Sequence, residues 1–217
     1  MSATRRPKAM GRRAVFITAT GTEIGKTHVT QLLIREARAA GRAVAALKPV
    51  ITGFDPAAPA GSDTALLLEA LGRPVNAETI AAISPWRFRD PLSPDMAAAR
   101  EKRSVPFDDL VAFCRSAKAD DVFIEGVGGV MAPLDATHTV RDWIAALEIP
   151  VILVAGSYLG TISHTLTTLE ALNAKRIPVR EIVISESEQS PVPPEEAVAT
   201  LARFTATPIR IVPRGKL

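Results

Sequence analysis

Residues 19 to 27, Ala-Thr-Gly-Thr-Glu-Ile-Gly-Lys-Thr, combine glycines, hydroxyls and a lysine at a spacing that suits phosphate chemistry. The apolar run at 14–18 reads as a buried strand, and residues 27–40 carry apolar side chains at helical spacing. A glycine-bearing turn between a strand and a helix aims backbone N–H groups and the positive end of the helix dipole at an anion. Lys26 supplies a mobile cation for the outer phosphates, and the Thr27 hydroxyl is a ligand type for Mg²⁺. The strict pattern has glycine five positions before Gly25; this chain has Thr20 there and Gly21 one place later. The three spaced glycines of a dinucleotide-binding turn are absent.

Three further stretches carry residues that could work beside such a loop. Residues 43–47 read as a second buried strand ending in Lys48-Pro49-Val50. A lysine at the carboxyl end of a strand in an α/β sheet lies on the ligand-binding edge; the plain alternative is a surface lysine with its stem on apolar neighbours. Ser62-Asp63 precedes a helical pattern, so Asp63 is either a first-turn carboxylate favoured by the dipole or a metal- or water-held carboxylate facing the loop. Residues 121–125, Asp-Val-Phe-Ile-Glu, form a short apolar run ending in a carboxylate, followed by Gly126-Val127-Gly128-Gly129. A strand ending this way brings its acid beside the metal of a bound nucleotide, unless Glu125 is merely an exposed strand end.

The elements that must position these residues follow in alternation. After the loop, helix and second strand come a loop rich in Ala, Pro and Gly, a helix at 64–71, and an irregular, proline-bearing excursion at 73–94. Helices are expected at 95–103 and 107–117, the latter with Pro106 in its proline-tolerant first turn. Then follow the strand at 121–125, a helix at 139–147, a strand at 150–155, a helix at 161–173, a strand at 179–184, a helix at 195–204 and a strand at 208–212. This alternation predicts one α/β domain over 14–217: a doubly wound, mainly parallel sheet with helices on both faces.

Composition is ordinary for a soluble globular chain, with 47% hydrophobic and 23% charged residues. No apolar run approaches the roughly 20 residues that span a bilayer, so no membrane partner is expected. The net charge of +3 is mostly an end effect: Arg5, Arg6, Lys8, Arg12 and Arg13 crowd residues 1–13, which read as a basic disordered tail. No aromatics accompany these charges, so a nucleic-acid arm is not expected. The single cysteine, Cys114, rules out an internal disulfide and fits a reducing cytoplasm. His28, His138 and His164 have no metal-ligand spacing, and no Gly-x-Ser-x-Gly elbow suggests covalent catalysis.

The ordered set resembles the dethiobiotin synthetase family, a group with the nucleotide-hydrolase type of phosphate loop. The matching residues are Thr22 to Thr27, Lys48-Pro49-Val50 with Thr52-Gly53, Ser62-Asp63, Ser93-Pro94, Glu125 to Gly129, and Val151 to Val154 leading into Leu159-Gly160. The Lys-Pro-Val element about twenty residues after the loop is the most discriminating. The resemblance implies that ATP, CO₂ and 7,8-diaminononanoate give dethiobiotin, ADP and phosphate, with Mg²⁺ as cofactor. One amine captures CO₂ as a carbamate, the carbamate oxygen takes the γ-phosphoryl group, and the second amine displaces phosphate to close a cyclic urea. Such chemistry needs positioning and cations rather than a protein nucleophile.

Residue by residue, the resemblance implies catalytic roles for Lys26, Lys48 and Thr22. It implies nucleotide and metal contacts from Glu23, Ile24, Gly25, Lys26, Thr27, His28, Asp63, Glu125, Gly126, Val127 and Gly128, and base contacts from Ser185 and Glu186. Thr27, Asp63 and Glu125 would hold Mg²⁺, and Thr52 would bind near the diamine. The loop Tyr158 to Thr161, with Leu159, Gly160 and Thr161, would receive the distal carboxylate of the substrate on backbone N–H groups across the interface of a homodimer. The sequence departs from the family in three places: Ala19 stands where a glycine is usual, Ser185-Glu186 where Asn-Asp is usual, and Ala197 where a tyrosine is often found. Two related activities fit less well. Partitioning-type switch ATPases usually carry a lysine where this chain has Gly21, and amide ligases of the cobyrinic-acid type add an amidotransferase domain for which 217 residues leave no room.

Overall fold

The computed structural model describes residues 13–188, 190–213 and 215. Its six-stranded sheet is built from apolar runs at β1 (Arg13–Ala19), β2 (Val44–Leu47), β5 (Asp121–Glu125), β6 (Val151–Ala155), β7 (Val179–Ser185) and β8 (Ile209–Val212). The spatial order is β2-β5-β1-β6-β7-β8 and every pairing is parallel. Every residue of β5 and β6 is buried, which fits strands covered on both faces. Alternate residues divide accordingly. Leu153, Ala155, Ile182 and Ile184 pack with Leu169 and Leu201, whereas Ile152, Val154 and Val183 belong to the larger core around Phe16 and Trp143. The Phe16 and Trp143 rings meet edge to face at 4.7 Å, a favoured aromatic geometry.

The helices are α1 (Lys26–Ala39), α2 (Asp63–Ala70), α3 (Ala77–Ile83), α4 (Pro94–Arg100), α5 (Phe107–Ser116), α6 (Val140–Leu147), α7 (Thr161–Asn173) and α8 (Pro194–Leu201). The expected doubly wound α/β architecture is present. Because all six strands run the same way, the segments leaving their carboxyl ends share one edge: the loop after β1, Lys48 after β2, Gly126 after β5, Gly156 after β6 and Glu186 after β7. Register brings two of these together. Leu47 pairs with Ile124, so Lys48, just past the end of β2, stands beside Glu125, the last residue of β5.

Three expectations are corrected. The basic tail was bounded at residue 13, but Arg13 opens β1 and its Nε donates to Asp121 Oδ1 at 2.7 Å; residues 1–12 lie outside the described residues. The stretch 73–94 is not irregular throughout. It contains α3, started by a capping box in which Asn76 and Thr79 satisfy each other's backbone N–H groups. It also contains β4 (Trp86–Arg87), which pairs in parallel with β3 (Val50–Ile51) as a separate two-stranded sheet. Finally, Pro106 sits at the N-cap of α5, one residue before its first turn. No helix among the described residues is long and apolar enough to cross a membrane.

Candidate active site

The loop after β1 closes on Gly25, the N-cap of α1, whose φ of 101° lies in the left-handed region. A Cβ at Gly25 would also stand 2.3 Å from Ser185 Oγ, so glycine is required there for two independent reasons. Lys26 is the first residue of α1 and is 7% exposed; its ammonium donates to Gly21 O at 2.9 Å, curling back over the loop. Burial and the neighbouring Lys48 charge push the Lys26 ammonium down to about 8, against the pull of Glu125 and Asp63. The glycines after β5 brace the loop from beside it. A Cβ at Gly129 would lie 3.3 Å from Thr20 O and 3.4 Å from Gly21 Cα, a tight fit against backbone that would have to give by a few tenths of an ångström.

Lys48 is not a surface residue. It is 2% exposed, and its Nζ lies 2.8 Å from Glu125 Oε1, 3.0 Å from Asp63 Oδ2 and 2.8 Å from Gly126 O. Burial alone would lower its pKa, but the charges of Glu125 and Asp63 outweigh that and hold it above the ordinary lysine value. The Thr27 hydroxyl, on the next residue of the loop helix, donates to Asp63 Oδ1 at 2.7 Å or to Glu125 Oε1 at 2.9 Å. Asp63 starts α2 after the Ser62 cap, so it is both the dipole-favoured carboxylate and a member of the site. Burial raises its pKa, but Lys48 and the Thr27 hydrogen bond bring it below the usual carboxylate range. Glu125 is fully buried.

Thr27, Asp63 and Glu125 therefore present hydroxyl and carboxylate oxygens to one point. An all-oxygen set suits a hard divalent cation such as Mg²⁺, and Glu125 Oε2 is a buried acceptor without a hydrogen-bond partner among the described residues. Among the described residues no three His, Cys, Asp or Glu side chains could hold a metal together. Phosphate oxygens and water are the ligands that would complete such a shell.

Thr27 and Asp63 line a cleft of about 760 Å³, whereas Glu125 is not part of its lining and lies buried behind Lys48 and Thr27, which contact it. Thr22, Glu23, Gly25, Lys26 and Thr27 form its phosphate-loop side, with Lys48, Asp63, Val127 and Gly128 at its base and Thr52 beyond them. On the far wall, Ser93 and Pro94 belong to the set that matched the family, but sequence reasoning missed Ile51, Pro91 and Leu92. Those residues are brought across by the small sheet, where Trp86 N–H donates to Pro49 O and Phe54 N–H to Phe88 O. The available signal was the pair Ser93-Pro94, which was among the residues that matched the family.

A family model described as an AAA domain matches residues 13–213. The chain is 58% identical over 198 residues to an ATP-dependent dethiobiotin synthetase, BioD, of Acidiphilium cryptum, covering 89% of each chain. It is 50% identical to the protein of that name from Methylobacterium nodulans, covering 93% of each chain. The chain belongs to the dethiobiotin synthetase family. Members of this family are ligases, and the loop, Lys48-Pro49-Val50 and the carboxylate pair are the residues that carried the resemblance. Among solved structures, a septum site-determining protein MinD with Mg-ADP from Pyrococcus horikoshii aligns with a TM-score of 0.55 at 17% identity, over 94% of this chain and 82% of that one. A putative plasmid partition protein from Borrelia burgdorferi B31 aligns at 0.54 and 9% identity, over 95% and 88%. Both likenesses concern the fold alone.

The remaining family-derived positions lie around the cleft rather than in it. Ile24 packs partly buried against the core, and Gly126 lies flat against Phe16, where a Cβ would come within 2.7 Å of the ring. His28, two residues into α1, is half-buried and away from the cleft lining. Ser185 ends β7 under Gly25, and Glu186 follows with its N–H donating to Val212 O. Thr161 is buried and its hydroxyl donates to Gly156 O at 2.7 Å, so its side chain supports the turn after β6. Gly160 caps α7 at a φ of 95°, and Leu159 is 83% exposed. None of these three lines its own chain's cleft.

Proposed function

We propose that this chain uses ATP to carboxylate and cyclise 7,8-diaminononanoate with CO₂, giving dethiobiotin, ADP and phosphate. The observation that carries the reading is the buried Lys48 ammonium, held beside the phosphate loop by Glu125, Asp63 and Gly126 O. Gly25 and the start of α1 direct backbone N–H groups at the phosphates, and Lys26 pairs with the outer ones. Thr27, Asp63 and Glu125 would hold Mg²⁺, which when bound neutralises phosphate charge and orients the γ-phosphoryl group. Lys48 stabilises the carbamate and the charge that develops as its oxygen attacks phosphorus, while Thr22 and Thr52 orient the reacting groups. The second amine then attacks the carbonyl carbon and phosphate leaves. Every contribution of the protein is positional or electrostatic.

The test is phosphate release from ATP with Mg²⁺, bicarbonate and the diamine, each omitted in turn. Release is expected only when all are present; release indifferent to the diamine would overturn the assignment while sparing the phosphate-loop reading.

A cytoplasmic homodimer forms part of the same proposal, without nucleic-acid or membrane partners. Leu159, 83% exposed at the turn before α7, supports a second copy as its cover. Replacing Leu159 with aspartate is expected to shift sedimentation toward monomer and to raise KM for the diamine more than KM for ATP. An unchanged dimer with both constants unaltered would remove Leu159 from the interface.

A further inference from the structure

We propose that Tyr158 is a positioning residue for the phosphate loop, acting through the side chain of Thr20. The inference rests on the nucleotide-binding part of the reading above. Thr20 occupies the place where the strict phosphate-loop pattern has glycine. It is not among the residues with positive φ, so the backbone there does not demand glycine and a side chain is free to act. Its Oγ1 lies 3.3 Å from Tyr158 Oη, and Oη lies 2.9 Å from His164 Nδ1 on the first turn of α7. With the imidazole proton on Nε2, His164 Nδ1 accepts from the phenol, which in turn accepts from Thr20. One direction of donation then satisfies all three groups.

The base from which Tyr158 projects is pinned. Ser157 N–H donates to Ser187 Oγ at 3.0 Å and Ser187 N–H donates to Ser157 Oγ at 2.9 Å, a reciprocal clasp between the turns after β6 and β7. Gly156 leaves room for the tyrosine ring, since a Cβ there would approach Tyr158 Cδ1 to 2.6 Å. Thr20 is therefore held at two points: its N–H by Val154 O at 3.1 Å and its hydroxyl by Tyr158. The next residue is Gly21, whose carbonyl receives the Lys26 ammonium. Tyr158 thus fixes the entry of the loop on which the phosphate-holding lysine rests, without touching nucleotide itself.

The test measures ADP affinity by calorimetry, which needs no carboxylation. Tyr158→Phe keeps the ring and removes the hydroxyl; it is expected to weaken ADP binding about three- to tenfold, the effect of one lost hydrogen bond. Thr20→Val is expected to cause a similar loss, Thr20→Ser to restore affinity to within about twofold, and the double variant Tyr158→Phe/Thr20→Val to be no worse than either single one. Unchanged affinity in Tyr158→Phe, or losses that multiply in the double variant, would overturn the proposal. If Tyr158→Phe lowers the thermal midpoint and so confounds its own reading, the contrast between Thr20→Val and Thr20→Ser decides: equal affinities overturn it. A chain that shows this coupling yet ignores the diamine would defeat the proposed reaction and leave the role of Tyr158 standing.

Discussion

Replacing Lys48 with methionine is expected to lower dethiobiotin formation by at least about 10²–10³-fold, the scale seen when one preorganised charge-stabilising donor is removed. Methionine keeps much of the volume and removes the ammonium that meets Glu125 at 2.8 Å and Asp63 at 3.0 Å. ADP affinity is expected to stay within a few fold, because Lys26 and the backbone of the loop are untouched. Stability gives a second signature. Breaking one side of a buried ion cluster costs about 3–5 kcal/mol, since the carboxylates left behind lose their counter-charge. Added Mg²⁺ is expected to recover part of that loss in thermal unfolding, because a divalent cation compensates the same oxygens. Initial rates, ADP calorimetry and unfolding with and without Mg²⁺ check these three statements. Equal loss of turnover and of ADP binding would make Lys48 a phosphate ligand or structural residue instead.

Replacing Gly25 with alanine is expected to weaken ADP binding by about 100-fold or more. An L-residue at a φ of 101° is strained, by about 1–3 kcal/mol for such sparsely populated conformations. The new Cβ would also collide with Ser185 Oγ at 2.3 Å and Ser185 Cβ at 3.0 Å, which forces either the loop or the end of β7 to move. Gly21 supplies the control. A Cβ there meets only Ile24 carbons at 3.7 and 3.9 Å, so Gly21→Ala is expected to bind ADP within a few fold of the unaltered chain. Adding Ser185→Gly to Gly25→Ala should recover the packing share of the loss and leave the backbone share. Near-normal ADP binding by Gly25→Ala would mean that the loop does not hold phosphate in this conformation.

Much of this was legible in the residues, for reasons that can be named. Strands such as β5 and β6 are short, mostly apolar and followed at once by Gly126 and Gly156, so their positions and their carboxyl ends were readable. Once the strands are parallel, the convergence of the loop, Lys48 and Glu125 follows from topology. The identity of Lys48's partners was not readable, because a buried lysine and a surface lysine look alike in one dimension. The register pairing Leu47 with Ile124 decides between them. Most of the far wall was hidden for a different reason. Helix α3 has seven residues with only Ile80 and Ile83 as apolar anchors, and β3 and β4 have two residues each, too short for any periodicity. Their order comes from the Asn76 capping box and from backbone bonds between segments more than thirty positions apart, such as Trp86 to Pro49. The misplaced tail boundary is the mirror case. Arg13 looks like the last of a run of basic residues, but its partner Asp121 stands far along the chain.

The small β3–β4 sheet divides the cleft into two inheritances. The phosphate side grows out of the central strands and shares its backbone with the core, so little there can change without disturbing the fold. The opposite side, Pro91 to Pro94, hangs from a two-stranded patch outside the main sheet. On the proposed reaction, changes in the length or polarity of that patch are expected to alter which acceptor fits while leaving the phosphate-loop side intact. Selectivity among diamines, on that same reaction, is a property to seek in residues 91–94 rather than in the loop after β1.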